Sequence, residues 1–275
     1  MLTDVTVGIP TFRRADLLER AILSVLNQTY KKITLNISVD YFEKDDQEYR
    51  FLRDKYKSFD NVNFFFQNKN IGSLQNFLFL SNHCKTEFFI WLADDDEMSE
   101  TLVESLKKKI ISSNDIVCVC PYWILKNNEK EKTIKPKTFD SNSVLNRAIK
   151  YLNYSDDVFF YGLHRSKTLK KAKFDGYWWP NNKSLANWAY VLQFDILLNG
   201  KITLVDEIDA KWINHDYGSK FYISKIGNSF FRYLSSKILY PYKLVLQKIN
   251  LLIKNKVKSK VKIKILKVSY LKVLF

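Results

Sequence analysis

The sequence predicts an α/β protein whose mostly parallel sheet is flanked by helices, and three observations predict it. Short β-rich runs alternate with segments of helical period through the first half of the chain, the pattern of strands joined by crossover helices. Three of those runs stop at polar or acidic residues. The third observation is an acidic triplet, Asp94, Asp95 and Asp96, directly after Phe88-Phe89-Ile90-Trp91-Leu92, a run apolar enough to be a buried strand. The carboxyl edge of an open α/β sheet is where ligands bind.

In chain order, Val5-Thr6-Val7-Gly8-Ile9 is a strand stopped by Pro10. Asp16 to Gln28 is a helix, because Leu17, Leu18, Ala21, Ile22, Val25 and Leu26 fall on one face. Ile33 to Val39 is a second strand ending at Asp40, and Asp45 to Lys57 a polar helix. Val62 to Phe66 is a third strand, followed by Asn68-Lys69-Asn70-Ile71-Gly72 and a helix to about Cys84. Glu87 to Ala93 is the fourth strand and leads into the acids. In a right-handed βαβ array, Pro10-Thr11, Asp40 and Asp94 to Asp96 converge on one crevice. Beyond it the pattern gives a helix near Ser99–Ser112, a strand Ile116 to Ile124 and an exposed Lys-rich hairpin or loop over 126–137. Asp157 to Leu163 is apolar and aromatic, Ser184 to Leu198 has helical spacing, and Lys201 to Val205 and Ala210 to Ile213 are closing strands.

With 275 residues and 46% apolar content, the chain can bury one substantial core plus an appendage. Charge marks the boundary. Asp216 is the last acidic residue: residues 1–216 carry 30 Lys+Arg against 29 Asp+Glu, and 217–275 carry 14 Lys+Arg against none. The expected organisation is therefore a folded domain over 1–216 and a basic tail over 217–275. In that tail Val245, Ile249, Leu252 and Ile253 have helical spacing, whereas Lys256 to Ile265 alternates strictly, with five Lys on one side, which favours an extended state. A near-neutral body with a cationic tail suggests a catalytic domain with an electrostatic anchor for an anionic membrane surface, at about 1 kcal/mol per basic residue near the surface; the alternative is a solvated or disordered basic tail. No recognition motif accompanies the charge, so nucleic acid is not an expected partner.

Cys84, Cys118 and Cys120 are odd in number and lack CxxC spacing, which argues against a disulfide framework or zinc site. No signal peptide is apparent, and no apolar stretch approaches the roughly 20 residues of a spanning helix. The expected compartment is the reducing cytoplasm.

Three adjacent carboxylates raise one another's pKa unless a cation or strong donors intervene. A hard divalent ion such as Mg²⁺ or Mn²⁺ removes that repulsion, taking one or two carboxylates while a bound diphosphate supplies further oxygens. The competing structural reading is a solvated acidic turn capping the helix that starts near Ser99.

Four blocks, in order, carry a resemblance: Val5-Thr6-Val7-Gly8-Ile9-Pro10-Thr11-Phe12-Arg13-Arg14, Ser24-Val25-Leu26-Asn27-Gln28-Thr29-Tyr30, Asn70-Ile71-Gly72 with Asn76, and Trp91-Leu92-Ala93-Asp94-Asp95-Asp96. Over roughly residues 3–216 the chain resembles the family 2 glycosyltransferases of the GT-A (Rossmann-like) fold. The resemblance implies a nucleotide-binding half over 1–97 and an acceptor-side half over 98–216. It also implies a nucleotide-sugar donor, UDP favoured, a divalent metal (Mn²⁺ or Mg²⁺), and inverting transfer to a hydroxyl of a cell-surface glycan or lipid-linked acceptor, which would hold this cytoplasmic protein peripherally at the inner face of the plasma membrane. By the same resemblance Pro10, Thr11 and Phe12, with Arg14 beside them, form the donor pocket, and Asp40 bonds the base. Asn70, Gly72 and Asn76 shape the loop beside the nucleotide. Asp94 and Asp95 hold ribose and pyrophosphate groups, Asp96 ligates the metal, and His215 is a second candidate ligand. For Asp40 the alternative is a helix cap, and for Asn70 and Gly72 an ordinary turn.

In-line displacement needs a general base on the far face of the sugar. In the family it is an Asp at the start of a late helix, but Asn181-Asn182-Lys183-Ser184-Leu185-Ala186-Asn187-Trp188 contains no carboxylate. Asn187 lies closest to that position, and an amide does not accept a proton at neutral pH. Asp175, Asp157 and Asp156 are the candidate replacements, and Trp178 and Trp179 are candidates for stacking on an acceptor sugar. The alternative is a catalytically impaired homologue that binds a nucleotide sugar or glycan.

Overall fold

The computed structural model describes residues 3–41, 46–127, 130–154, 158–172, 177–178, 185–186 and 188–215. Their elements run, in order, β1 (Val5–Thr11), α1 (Ala15–Leu26), β2 (Ile33–Val39), α2 (Asp46–Tyr56), β3 (Val62–Phe66), α3 (Gly72–His83), β4 (Phe88–Trp91) and β5 (Glu97–Met98). There follow α4 (Leu102–Ile111), β6 (Ile116–Cys120), β7 (Tyr122–Asn127), β8 (Lys130–Ile134), α5 (Val144–Tyr154), a 3₁₀ turn (Val158–Tyr161), β9 (Leu163–Arg165) and α6 (Ser166–Lys171). The last are β10 (Tyr177–Trp178), β11 (Leu185–Ala186), α7 (Trp188–Asn199), β12 (Lys201–Leu204) and β13 (Lys211–His215).

The described residues form two compact units: 3–138 with 158–171 and 202–215, and a second drawn from 139–154 and the described residues between 172 and 201. In the first, a seven-stranded sheet has the order β12-β6-β9-β4-β1-β2-β3. β1 pairs in parallel with β2 and β4, and β2 with β3, so the alternating strand and helix periods do give parallel strands with crossover helices. β9 is antiparallel to both β4 and β6. The fold is thus the expected α/β class, a mostly parallel sheet flanked by helices.

All seven residues of β1 are buried. On one side Leu18, Ile22 and Val25 of α1 pack with Val5, Val7, Ile9, Leu35 and Ile37. On the other α3 approaches closely: a Cβ at Gly8 would stand 2.7 Å from the Phe89 ring and 3.1 Å from Leu80 Cβ. β1 runs through Pro10, where the sequence had it stop. Its ladder to β4 ends at Gly8, so the N–H that Pro10 lacks falls where no strand asks for one.

The expected single strand Ile116 to Ile124 is two strands parted by Pro121. β6 joins the large sheet and β7 a four-stranded sheet of order β5-β13-β7-β8. β13 pairs with β7 in parallel and with β5 antiparallel. The Lys-rich stretch is the antiparallel β7–β8 hairpin. Cys84, Cys118 and Cys120 are free and buried.

In the second unit α5 packs against α7. Arg147, only 5% exposed, donates from Nε to Leu197 O at 2.8 Å and from Nη1 to Ser141 O at 2.7 Å. A buried cation thereby meets the carbonyl end of α7, where the helix dipole favours positive charge. The basic tail 217–275 lies outside the described residues, and among those described no helix is long and apolar enough to cross a membrane.

Candidate functional site

The carboxyl ends of β1 and β2 are tied together before any ligand is considered. The Asp40 backbone N–H donates to Thr11 O at 2.9 Å. Asn76, 3% exposed on α3, reaches back with Nδ2 to Ser38 O (3.1 Å) and Thr11 O (3.4 Å), while its Oδ1 is buried without a hydrogen-bond partner. The Thr11 hydroxyl meets Tyr49 OH at 2.9 Å, and that phenol oxygen accepts the Arg14 N–H at 3.0 Å. Phe12 is 38% exposed beside buried Thr11, so the loop after β1 offers one apolar ring to solvent.

Asp40 is buried, and its carboxylate takes three backbone donors: Tyr41 N (2.9 Å) and Ile71 N (2.8 Å) on Oδ1, and Gly72 N (3.0 Å) on Oδ2. It therefore caps the start of α3, satisfying N–H groups that a helix leaves orphaned. Gly72 sits at φ 77°, a left-handed conformation that glycine adopts without strain, and no atom lies within 4 Å of where a Cβ would be. The glycine is there for its backbone. Asn70 Nδ2 closes the loop by donating to Tyr41 O at 3.4 Å.

Past β4 the acidic turn divides. Arg14 Nη1 lies 3.2 Å from Asp94 Oδ1 and 2.6 Å from Asp95 Oδ2. Arg20 Nη2 donates to the Asp95 carbonyl at 2.6 Å, and its Nε pairs with Glu97 Oε1 at 2.9 Å. Asp96 instead meets β13: Trp212 Nε1–H donates to Oδ2 (2.8 Å), and Asn214 Nδ2 (2.9 Å) and the His215 backbone N–H (3.2 Å) donate to Oδ1. The His215 ring Nε2 is 2.6 Å from Glu97 Oε1. Burial pushes the Asp94 carboxyl up to about 6, against the pull of Arg14 and with the push of Asp95. Burial, helped by the Asp95 charge, pushes Asp96 up to about 7, although the three β13 donors favour its charged form.

Among the described residues no three His, Cys, Asp or Glu side chains converge as a complete metal cage. Asp96 suits a different arrangement. Its two oxygens offer about four acceptor sites, of which β13 fills three, leaving room for one ligand bond. A buried carboxylate pushed up to about 7 is one whose ionisation a cation would favour. The donor set fits an ion that takes one or two carboxylates and completes its shell with phosphate oxygens.

Pro10, Thr11, Phe12, Arg14, Asp40, Asn70, Gly72, Asn76, Asp94, Asp95, Asp96 and His215 all belong to the first unit. Asp175, Asp157, Asp156, Asn187 and Trp179, and the Trp178 side chain, lie outside what is described. The sequence reading missed Trp212, Asn214, Arg20 and Tyr49. For Trp212 a signal was present, since it lies on the expected closing strand Ala210 to Ile213; Asn214 shares its face only because the strand runs on to His215.

A family model described as Glycosyl transferase family 2 matches residues 6–172. A curated relative, the GalNAc(5)-diNAcBac-PP-undecaprenol beta-1,3-glucosyltransferase of Campylobacter jejuni subsp. jejuni, is 33% identical over 116 residues, which cover 38% of this chain and 33% of the relative. The match thus spans about a third of that protein's length. Among solved structures, S. aureus TarS 1-349 aligns with a TM-score of 0.67 at 14% identity, over 98% of this chain and 71% of that one. The same protein in complex with UDP-GlcNAc aligns with a TM-score of 0.68 at 14% identity, over 96% and 70%. At such identity the likeness is one of fold.

Proposed function

The chain belongs to glycosyl transferase family 2, and from that premise we propose that it moves a sugar, with inversion, from a nucleoside-diphosphate donor to a hydroxyl of a cell-surface glycan or lipid-linked acceptor. The observation that carries this reading is the convergence of three parallel strand ends, which sets Thr11, Asp40 and, through Tyr49 and Arg14, the Asp94–Asp96 turn in one hydrogen-bonded cluster. A uridine donor is supported by the TarS structures described with UDP and UDP-GlcNAc, and a lipid-linked acceptor by the name of the Campylobacter relative.

In this reading Pro10, Thr11 and Phe12 wall the base. Asp40 accepts a base N–H on the lone pair that three backbone amides leave over, and those amides hold its oxygens fixed. Asn70, Gly72 and Asn76 keep the flanking loop in place. Asp94 and Asp95 take the ribose hydroxyls and the pyrophosphate end, with Arg14 between them. Asp96 would hold Mn²⁺ or Mg²⁺, and His215 would join it only by exchanging its bond to Glu97. Bound there, the ion supplies Lewis-acid stabilisation of the charge that builds on the leaving diphosphate.

The acceptor proton goes to Asp175 or Asp157, with Asp156 the third candidate, because Asn187 has no basic site at neutral pH. The basic tail recruits the protein to an anionic inner leaflet from the cytoplasm. One observation favours the second reading, a homologue that binds donor or glycan without turnover: residues 181–188 lack the expected carboxylate.

The test is hydrolysis of a panel of nucleotide sugars by the purified chain, with Mn²⁺ or EDTA, beside Asp96→Ala and Asp175→Asn. Release of nucleotide from one donor, abolished by EDTA and by Asp96→Ala, supports the enzyme. Metal-dependent binding without turnover, in the presence of lipid-linked acceptor as well, supports the second reading.

A further inference from the structure

The acidic turn holds its cation already, in the form of a side chain. Arg14 Nη1 bridges Asp94 and Asp95, yet the two sides of that bridge are unequally held. The Asp94 and Asp95 side chains are 8% and 14% exposed, and the Arg14 side chain 39%. Arg20 grips the Asp95 backbone carbonyl. The anions are fixed and sunken. The Arg14 backbone is fixed as well, through its N–H on Tyr49 OH and the carbonyl that accepts from Leu17 and Leu18 at the start of α1. What remains free to move is the guanidinium arm, which enters the pair from the solvent side.

We propose that Arg14 is the resident counter-cation of the Asp94–Asp95 pair in the donor-free protein and passes to the diphosphate when the donor binds, so that nucleotide and divalent cation are taken up together. This rests on the donor reading above and goes beyond it. A free divalent ion approaching the turn meets two carboxylates that share the Arg14 guanidinium, which offsets one of their two charges and repels the ion, and Asp96 with a single open acceptor site. It would bind weakly. A diphosphate changes both terms of that competition. Its oxygens offer the planar guanidinium fork a two-oxygen partner of the kind Arg prefers, and the same oxygens would complete the shell around an ion on Asp96. Phosphate binding draws Arg14 off, and Asp95 becomes available as the charge beside Asp96. By linkage the ion strengthens nucleotide binding by the same factor that the nucleotide strengthens ion binding.

The experiment is titration of the full chain with Mn²⁺, following loss of the free-ion electron paramagnetic resonance signal, with and without UDP. Wild type is expected to bind Mn²⁺ at least about tenfold more tightly with UDP than without, within the usual range of coupling between two ligands. In Arg14→Gln and Arg14→Ala the UDP-free affinity rises by about tenfold and the enhancement by UDP shrinks, because the competitor is gone. If wild type binds Mn²⁺ equally well without UDP, or if neither folded variant gains UDP-free affinity while UDP still binds, the proposal falls and the donor reading stands. If UDP fails to bind wild type in the presence of Mn²⁺, both fall.

Discussion

The two sides of the acidic turn solve the same problem differently. Asp94 and Asp95, facing the loop after β1, share a guanidinium. Asp96, one residue further on and facing β13, has only uncharged N–H donors from Trp212, Asn214 and His215. Two carboxylates sharing one guanidinium have half of their charge compensated. A carboxylate with neutral donors is oriented but remains electrostatically open, and burial has pushed it up to about 7. In the proposed function the first side holds polar groups of the donor and the second takes a cation, and that contrast sets the sizes of the effects that follow.

The largest is expected at the open side. Asp96→Ala should lower donor turnover by about a thousandfold, the scale of losing one preorganised electrostatic group, and EDTA should do the same to wild type. Both are read as kcat in a nucleotide-release assay. Turnover that survives both would erase the distinction between the two sides.

Next comes the support of that side. Trp212→Phe keeps most of the stacking on Trp123 but removes the donor to Asp96 Oδ2, leaving a buried acceptor short of a partner at about 1–3 kcal/mol. The cost appears as a lower urea midpoint, with kcat falling more than KM rises. A KM effect alone would place Trp212 outside the metal side.

A smaller loss is expected at the neutral-donor cap. Asp40→Ala strips three backbone amides of their acceptor and should cost about 1–2 kcal/mol in thermal or urea unfolding, as cap removals do. It should also raise the donor KM. Unchanged stability would mean that the α3 amides find other partners.

The smallest effect lies at the opposite end of β1, where Asp4 tests charge compensation away from the site. Burial opposes its ionisation, but the hydrogen bonds from Lys107 (2.7 Å) and Tyr30 (2.6 Å) outweigh that and hold the carboxyl below its ordinary value of 3.8. Because the folded pKa is depressed, its contribution to stability is present above about 4 and is lost as pH falls through the folded value. Asp4→Asn should lower stability slightly at neutral pH and flatten the acid limb of the stability profile, measured by thermal unfolding between pH 2 and pH 7, a window set about the reference carboxylate pKa.

Much of the first half was legible because its contacts are largely local: β1, β2 and β3 lie side by side, each reached from the last by one crossover, β4 returns to the free edge of β1, and the helices declare their apolar faces. The second half hides its structure for identifiable reasons. β9 is three residues slipped antiparallel between β4 and β6, too short for any alternation to show. α5 buries Arg147 beside Ala148 and Tyr151, so a charged residue interrupts the apolar stripe that would announce a helix. Pro121 parts an unbroken apolar run between two sheets. The site divides in the same way. The strand-end acids could be seen from the chain, whereas the donors to Asp96 come from 116 to 119 residues later, through a parallel pairing of β13 with β7 that no local pattern announces.

The turn that carries the acids begins at the end of β4 in the large sheet and ends in β5 of the small one, where Glu97 pairs with Ile213 and Met98 with Trp212. It is a seam stitched into two separate registers. A loop with free ends can absorb a length change by bulging, but here one residue gained or lost would invert the β5 side chains with respect to β13 and carry Asp96 off its donors. Drift in this protein is therefore free to exchange side chains along the seam far more readily than to alter its length.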